Sequence, residues 1–252
     1  MKAIALRINV WGIAALAGVA VMWHAVALRY ASPLFPGPLD VISAAMEHLG
    51  TIETEIGATL SRAAIAFAIA VCTMVPLGLA CGRIKALGAL VDPLLEFLAA
   101  VPPPAVIPLV MLFAGVGDGA KITVIVFAIF PLILINTMEG ARETAPMLTR
   151  VAKSFQMSRL EQMLLIDLPS AMPAIFVGLR LAVATSMLVS ITSEMILATD
   201  GIGTFLQRSQ EGFEIAASLA GLFSISLVGF AINFGFRLSE RKFLFWFYRG
   251  QA

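Results

Sequence analysis

Six long apolar runs alternate with short polar segments along the chain. A helix needs roughly 20 mainly apolar residues to cross the hydrocarbon core of a bilayer. The pattern therefore predicts an all-α integral membrane protein with six transmembrane helices, in which residues 1–252 form a single transmembrane domain. The predicted spans lie at about 8–28, 62–82, 98–116, 121–138, 173–195 and 215–237.

The composition also indicates a lipid environment. Hydrophobic residues make up 60% of the chain and charged residues 13%, with a mean hydropathy of +0.94. Soluble domains contain about 45–50% apolar and about 25% charged residues, so a soluble protein this apolar would expose large apolar patches. Membrane lipid is the expected solvent for this surface. The net charge of +1 gives no reason to expect a nucleic-acid partner.

The distribution of basic residues predicts the orientation of the spans. The first apolar run follows Lys2 and Arg7 and is longer than the core of a signal peptide, so we expect it to be retained. With the N-terminus inside, thirteen Lys and Arg residues fall on the inner side and four on the outer side. Because cytoplasmic loops are enriched in Lys and Arg, both termini are predicted to be cytoplasmic.

The longest predicted inner segment, about residues 139–172 between spans four and five, has the periodicity of helices. Four apolar residues recur at the spacing of one helical face, namely Leu148, Val151, Ala152 and Phe155. Ser158 and Glu161 fit a capping box that would begin a second helix. A cytoplasmic helix-turn-helix is therefore predicted. Its apolar face either packs on the protein's own helix ends or binds a soluble partner.

This inner segment resembles the coupling loop of the permease subunits of ATP-binding-cassette importers, known as the EAA loop. The loop has the pattern Glu-Ala-Ala, three residues, Gly, nine residues, Ile-x-Leu-Pro, which falls here on Arg150-Val151-Ala152, Gln156 and Ile166-Asp167-Leu168-Pro169. The spacing is kept, but Arg150 replaces the Glu, Val151 the first Ala and Gln156 the Gly. Glycine takes a left-handed turn at no steric cost, so Gln156 must take that turn at some cost or the turn must differ.

Further segments are similar to the nitrate, sulfonate and taurine branch of these permeases: Leu34–Pro38, Pro169–Leu181, Ser193–Met195 with Asp200–Gly203, and Glu240–Trp246. The resemblance implies a permease of the bacterial inner membrane that forms the translocation pathway for a small, anionic solute. It implies cytoplasmic ATPase subunits, an extracytoplasmic solute-binding protein, and a second copy of this chain or else a different permease. The residues it assigns to ATPase coupling are Leu148, Arg150, Val151, Ala152, Phe155, Gln156, Ile166, Leu168 and Pro169.

The fifth predicted span carries a polar face. Its members are Ser186, Ser190, Ser193 and Glu194, which fall within about 100° of one another on a helix. An ionisable group near a span is costly and is a functional-site hypothesis by default, so these residues are predicted to line the translocation pathway. Alternatively, the serine hydroxyls bond to their own helix, and Glu194 reaches outer water or pairs with Arg208.

The sequence gives no sign of catalytic, metal or cofactor sites. Two histidines and two cysteines form no metal-ligand pattern, and no Gly-x4-Gly-Lys-Ser/Thr phosphate loop occurs. ATP hydrolysis is therefore expected on a separate ATPase subunit. An ion-coupled carrier is the alternative transporter, but the internal repeat and the cluster of buried charges typical of one are not evident. A membrane enzyme or assembly factor would need a catalytic constellation or a large soluble part.

Overall fold

The computed structural model describes residues 10–30, 32–197 and 199–245, and within these ranges all regular structure is helical. The helices are α1 (Val10–Tyr30), α2 (Pro38–Glu47), α3 (Leu49–Arg83), α4 (Lys85–Ala99), α5 (Pro103–Ala114), α6 (Asp118–Arg142), α7 (Pro146–Ser154), α8 (Arg159–Gln162), α9 (Leu168–Leu197), α10 (Ile202–Glu211) and α11 (Ile215–Phe243). A π-helical turn, Met163–Asp167, joins α8 to α9. Residues 8–9 of the first predicted span, together with Lys2, Arg7, Trp246 and Arg249, lie outside the described residues.

Four described helical segments are long and apolar enough to cross a membrane. They are Leu49–Arg83, Asp118–Arg142, Arg159–Leu197 and Ile215–Phe243, with a fifth if α4 and α5 together count as one broken span. The apolar part of α1, Ala14–Tyr30, falls below that length. The all-helical membrane fold is therefore confirmed, whereas the number of six spans stays a prediction.

The third predicted span, 98–116, covers the end of α4, a break at a run of prolines and all of α5. α4 ends at Ala99, α5 begins at Pro103, and the two helices are bent by 98° at the break. The cause lies in Pro102, Pro103 and Pro104, because each proline lacks a backbone donor and restricts the residue before it. Proline is tolerated in the first turn of a helix, so α5 begins within this run and continues to Ala114.

The core of the fold is formed by α3, α6 and α9, and α6 packs against both of the others. Small residues bring the backbones close together, which is the usual device where lipid gives no hydrophobic drive for helix association. A Cβ added at Gly78 on α3 would lie 2.6 Å from the Cβ of Thr137 on α6. One added at Gly178 on α9 would lie 2.9 Å from the carbonyl oxygen of Leu132.

Two short helices, α2 and α10, complete one end of the bundle. α2 starts with a proline, and the amide of its N-cap residue Gly37 donates to the carboxylate of Asp40 at 2.8 Å. α10 packs against both α9 and α11. At this end the indole of Trp23 on α1 donates a hydrogen bond to the carbonyl of Pro36.

Replacing Gly82 on α3 by alanine tests the close packing of α3 against α6. The new Cβ would lie 2.6 Å from both the Cβ of Ala141 and the carbonyl oxygen of Met138. We expect the resulting overpacking to cost roughly 1–3 kcal/mol and to lower the melting temperature in detergent. The control is Gly57→Ala on the same helix, where the added Cβ has open space and alanine is the better helix former. Equal melting temperatures for the two variants would contradict the close approach.

Candidate functional site

The segment between α6 and α9 is a helix-turn-helix, Pro146–Gln162, which we call the inner helix-turn-helix. Two residues after the last residue of α7, Gln156 ends the helix with its backbone in the left-handed region, at φ 52°. The amide of Gln156 donates to the carbonyl of Lys153, and the amide of Met157 donates to that of Ala152, both at 3.0 Å. These two bonds define a Schellman motif whose left-handed position is usually glycine. Gln156 therefore takes the turn at a cost of roughly 1–2 kcal/mol.

The second helix of this segment begins with the predicted capping box. The hydroxyl of Ser158 accepts the amide of Glu161 at 3.2 Å, and the Glu161 carboxylate accepts the amide of Ser158 at 2.7 Å. The capping box is thus confirmed. Together with the Schellman turn it fixes the angle between α7 and α8 by local hydrogen bonds.

Arg83, the last residue of α3, attaches the inner helix-turn-helix to the bundle. Its Nε lies 3.0 Å from a carboxylate oxygen of Asp167 in the π-helical turn. Its Nη2 donates to the hydroxyl of Thr149 on α7 at 3.1 Å. Asp167 is buried, and a buried carboxylate needs such a partner. One side chain therefore connects both α7 and the π-helical turn to the end of α3.

The residues assigned to ATPase coupling divide by exposure. Ala152 is buried, whereas Leu148, Val151 and Phe155 are exposed, Phe155 to 77%. Arg150, Gln156 and Pro169 are also exposed, and Ile166 and Leu168 are half-buried. α7 thus buries Ala152 and leaves three large apolar side chains accessible.

In the N-terminal half of α3, and around it, lies a group of charged residues that we call the outer ion cluster: Arg62, Asp118, Lys121, Glu194 and Asp200. The guanidinium of Arg62 contacts three carboxylates. Its Nε is 2.6 Å from Asp118, its Nη1 is 3.0 Å from Glu194, and its Nη2 binds Asp200. The cluster therefore connects α3, α6, α9 and the α9–α10 turn.

Glu194 also binds the start of α10, which lacks a side-chain cap of its own. Its carboxylate accepts the amide of Gly203 at 3.1 Å and the hydroxyl of Thr59 at 2.8 Å. Thr59 accepts the amide of Ile202, and Glu55 accepts that of Gly201. Acidic groups are favourable at a helix N-terminus, and here the carboxylates of Glu55 and Glu194, together with the Thr59 hydroxyl, accept the amides at the start of α10.

The glycines at this turn are required by the geometry. Gly201 has φ 104°, and a Cβ there would lie 2.2 Å from the carboxyl carbon of Glu194. A Cβ at Gly203 would lie 2.2 Å from the carbonyl oxygen of Ile191. Larger residues would therefore separate α10 from α9 and break the contacts of Glu194.

Asp200 carries a second set of contacts in the α9–α10 turn. The Nζ of Lys121 lies 2.8 Å from its carboxylate and 2.9 Å from its carbonyl oxygen. Partial burial opposes ionisation of Asp200, but hydrogen bonds from Lys121, Thr199 and Arg62 outweigh it and lower its pKa to about 2. Lys121 is fully buried, so this carboxylate supplies the compensating charge.

The four predicted pathway residues, Ser186, Ser190, Ser193 and Glu194, are all buried inside the chain. Ser186 and Ser193 donate to carbonyls of their own helix, as the alternative interpretation proposes, and Ser190 donates to Glu194 at 3.2 Å. Arg62, which the sequence did not single out, supplies the ion pair of Glu194. Their role in a pathway stays a prediction.

The sequence indicated no cluster of buried charges, and that expectation is wrong. Arg62, Lys121 and Glu194 are buried and lie together with Asp118 and Asp200. A signal for this cluster was present in the sequence, because Arg62 and Lys121 are the first residues of two predicted spans. Ionisable residues at membrane depth need partners.

Comparison with known proteins identifies the class. Residues 74–244 match the family model described as "Binding-protein-dependent transport system inner membrane component". The chain therefore belongs to this family of inner-membrane permeases.

Individual relatives agree with this assignment. The chain is 30% identical to the taurine transport system permease protein TauC of Escherichia coli (strain K12), over 90% of this chain and 85% of TauC. It is 29% identical to the nitrate import permease protein NrtB of Synechococcus elongatus, over 84% and 81%. A chain of the MetNI methionine ABC transporter in an inward-facing conformation has the same fold, with a TM-score of 0.70, 16% identity and coverage of 78% and 98%.

Removing the guanidinium of Arg62 should be strongly destabilising. Arg62→Met leaves the fully buried Glu194 without its ion-pair partner, and breaking a buried pair costs about 3–5 kcal/mol. The double variant Arg62→Met/Glu194→Gln removes the uncompensated charge and should recover part of the loss in melting temperature. Arg29→Met, at an exposed arginine of α1, serves as control. A double variant whose loss in melting temperature equals the sum of the losses from the two separate substitutions would contradict the pairing.

The lowered pKa of Asp200 predicts a specific pH dependence. A carboxylate whose pKa is depressed in the folded state stabilises that state above its unfolded pKa of 3.8 and loses this effect as the pH falls through about 2. We expect Asp200→Asn to melt below wild type at pH 7, and the difference to shrink between pH 4 and pH 2. Melting curves across this range measure it. A difference that stays constant down to pH 3 would argue against the charged contact.

Proposed function

We propose that this permease works as one of two membrane-spanning subunits of an ATP-driven importer, with the inner helix-turn-helix as the surface that binds the ATPase. The observation that carries this proposal is the apolar face of Leu148, Val151 and Phe155, exposed on α7 while Ala152 is buried beneath it. An apolar side chain that enters a groove is a common mode of helix recognition.

The position of this surface supports the proposal. Arg83 ties α7 and the π-helical turn to the end of α3, so a force applied at α7 acts directly on a membrane-spanning helix. Arg150 stands where the family pattern has a glutamate, and we therefore expect an acidic or neutral pocket on the cognate ATPase.

The proposed topology has six spans with both termini in the cytoplasm. Support comes from the excess of Lys and Arg on one side, thirteen against four, and from the α4–α5 pair acting as one broken span. In this topology the inner helix-turn-helix faces the cytoplasm, where an ATPase can reach it. An extracytoplasmic binding protein would deliver solute to the opposite face, at the junction between two permease chains.

The proposed solute is a small anion. The curated relatives carry names for taurine, nitrate, bicarbonate and aliphatic sulfonate transport, and small size with an anionic group is the chemistry that these solutes share. The buried charges of the outer ion cluster favour the alternative of an ion-coupled carrier, and the experiment below separates the two.

Affinity purification of the tagged chain from its native membranes in mild detergent tests the coupling surface. Wild-type protein should retain an ATPase subunit with a phosphate-loop motif, identified by mass spectrometry. Val151→Asp/Phe155→Asp should lose it, because two charges then replace the exposed apolar contacts on α7. Phe213→Asp is the control, since Phe213 is exposed in the α10–α11 turn. If Val151→Asp/Phe155→Asp still retains the ATPase, the exposed face of α7 is not the binding surface. If intact wild-type protein retains no ATPase in several detergents, the ion-coupled carrier is favoured.

A further inference from the structure

A small cleft of about 260 Å³ lies between α9 and the last turns of α11. Three arginines line it, Arg180 from α9 and Arg237 and Arg241 from α11, together with Glu240. Arg180 and Glu240 are 60 residues apart in the chain and form an ion pair between the two helices. We call this feature the arginine cleft.

The arginine cleft carries more positive than negative charge. Glu240 is buried, and the charge of its carboxylate is offset by Arg180. Arg237 and Arg241 are exposed and make no ion pair within the described part of the chain. Each guanidinium has five N–H donors, so two strong cationic donor groups line one small volume and can bind an anion there.

An apolar strip lies on the same face of α11 as these two cations. Phe230, Phe234 and Leu238 are exposed, and Arg237 and Arg241 follow Phe234 and Leu238 by three residues each. At 100° per residue all five side chains fall within about 100° of one another on the helix. The rings of Phe230 and Phe234 stack with their centroids 6.3 Å apart. A ligand held by the two arginines therefore has exposed apolar side chains directly beside it, on the same side of the helix.

The position of the cations along α11 matches the depth of a lipid headgroup. α11 is long and apolar enough to cross a membrane, and residues 215–236 contain no charged residue. These 22 residues correspond to about 33 Å of helix, close to the hydrocarbon thickness of roughly 30 Å. Arg237 is therefore the first charge at the end of the apolar stretch, and Arg241 lies about one turn farther along.

α9 forms the other wall of the cleft in the same way. The side chain of Arg180 is 38% exposed, and Val177 and Leu181, which lie within about 100° of it on the helix, are exposed as well. Both walls thus place cations beside apolar side chains that suit lipid. A water-soluble ATPase could reach the arginines but not Phe230, which lies about two turns into the apolar stretch of α11. A second permease chain could cover that stretch, but it would have to supply carboxylates for two cations.

We propose that the arginine cleft binds the phosphate headgroup of an anionic phospholipid, whose acyl chains lie along the exposed apolar strip of α11. Basic pockets between membrane-spanning helices suit such headgroups, and guanidinium groups bind phosphate oxygens in pairs. A lipid satisfies the cations and the apolar strip with one molecule. A free phosphate compound would use the cations alone.

The test is native mass spectrometry of the full chain with any subunits that co-purify. The protein is equilibrated in mild detergent with equal amounts of phosphatidylglycerol and phosphatidylcholine of the same acyl chains. Wild type should retain phosphatidylglycerol preferentially. Arg237→Gln/Arg241→Gln should reduce this preference roughly tenfold, because each cation near the membrane surface contributes to the binding of anionic lipid. The matched control, Lys85→Gln/Arg159→Gln, removes two exposed cations from other helices and should keep the preference.

Three outcomes would overturn the proposal. Equal retention of both lipids by wild type would exclude a selective site, and this result needs no variant to fold. Displacement of phosphatidylglycerol by millimolar glycerol 3-phosphate would assign the cleft to a free phosphate compound. An Arg237→Gln/Arg241→Gln variant that keeps the lipid preference would place the lipid elsewhere, and loss of the ATPase or of a second permease chain from that variant would assign the cleft to a subunit interface.

The lipid proposal and the importer proposal can fail separately. Placement of the lipid in the inner leaflet rests on the proposed orientation of the spans. Retention in detergent depends neither on that orientation nor on transport, and no residue of the arginine cleft belongs to the surface proposed to bind the ATPase.

Discussion

The guanidinium of Arg62 is the contact on which the end of the bundle beside α10 depends. It is buried among three carboxylates contributed by α6, α9 and the α9–α10 turn. Removing a charge from water is expensive unless its partners are close and well oriented, and Arg62 supplies five donors in a fixed plane. Glu194 in turn accepts the amide of Gly203 in the first turn of α10, so the same ion pair helps to position that helix.

Two arginines of α3 are subject to the same physical constraint, since each places a charge at one end of the helix's apolar stretch. Arg62 and Arg83 are 21 residues apart, which corresponds to about 32 Å along a helix and matches the hydrocarbon thickness of roughly 30 Å. Each arginine binds carboxylates of neighbouring elements, Glu194 at one end and Asp167 at the other. The apolar stretch between them can therefore lie in lipid while both charges stay paired.

Hydrophobicity along the chain predicted the segments that need lipid but not their full lengths. The predicted span 62–82 is shorter than the 35-residue α3 of which it is a part. The first turns of α3 carry polar residues, which a hydropathy criterion rejects, and these turns pack against α10. α4 was missed since Lys85, Asp92 and Glu96 interrupt its apolar pattern. The strained turn at Gln156 and the Ser158 capping box could be predicted from the sequence, because both depend on neighbours within a few residues.

The outer ion cluster could not be predicted from local sequence, because Arg62 and Glu194 are 132 residues apart in the chain. The two residues meet only after α3, α6 and α9 have packed. The pairing also bears on how a small anion could be bound. Arg62 and Lys121 already have carboxylate partners in this conformation, so neither offers free positive charge to a solute. Any recognition of an anion by Lys121 requires the α9–α10 turn to move first, and Arg62 would also have to leave Asp118 on α6 and Glu194 on α9. Movement of the turn breaks the contact between Asp200 and Arg62 on α3, whereas α7 contacts α3 at Arg83. Both the proposed ATPase surface and the outer ion cluster therefore act on the same helix.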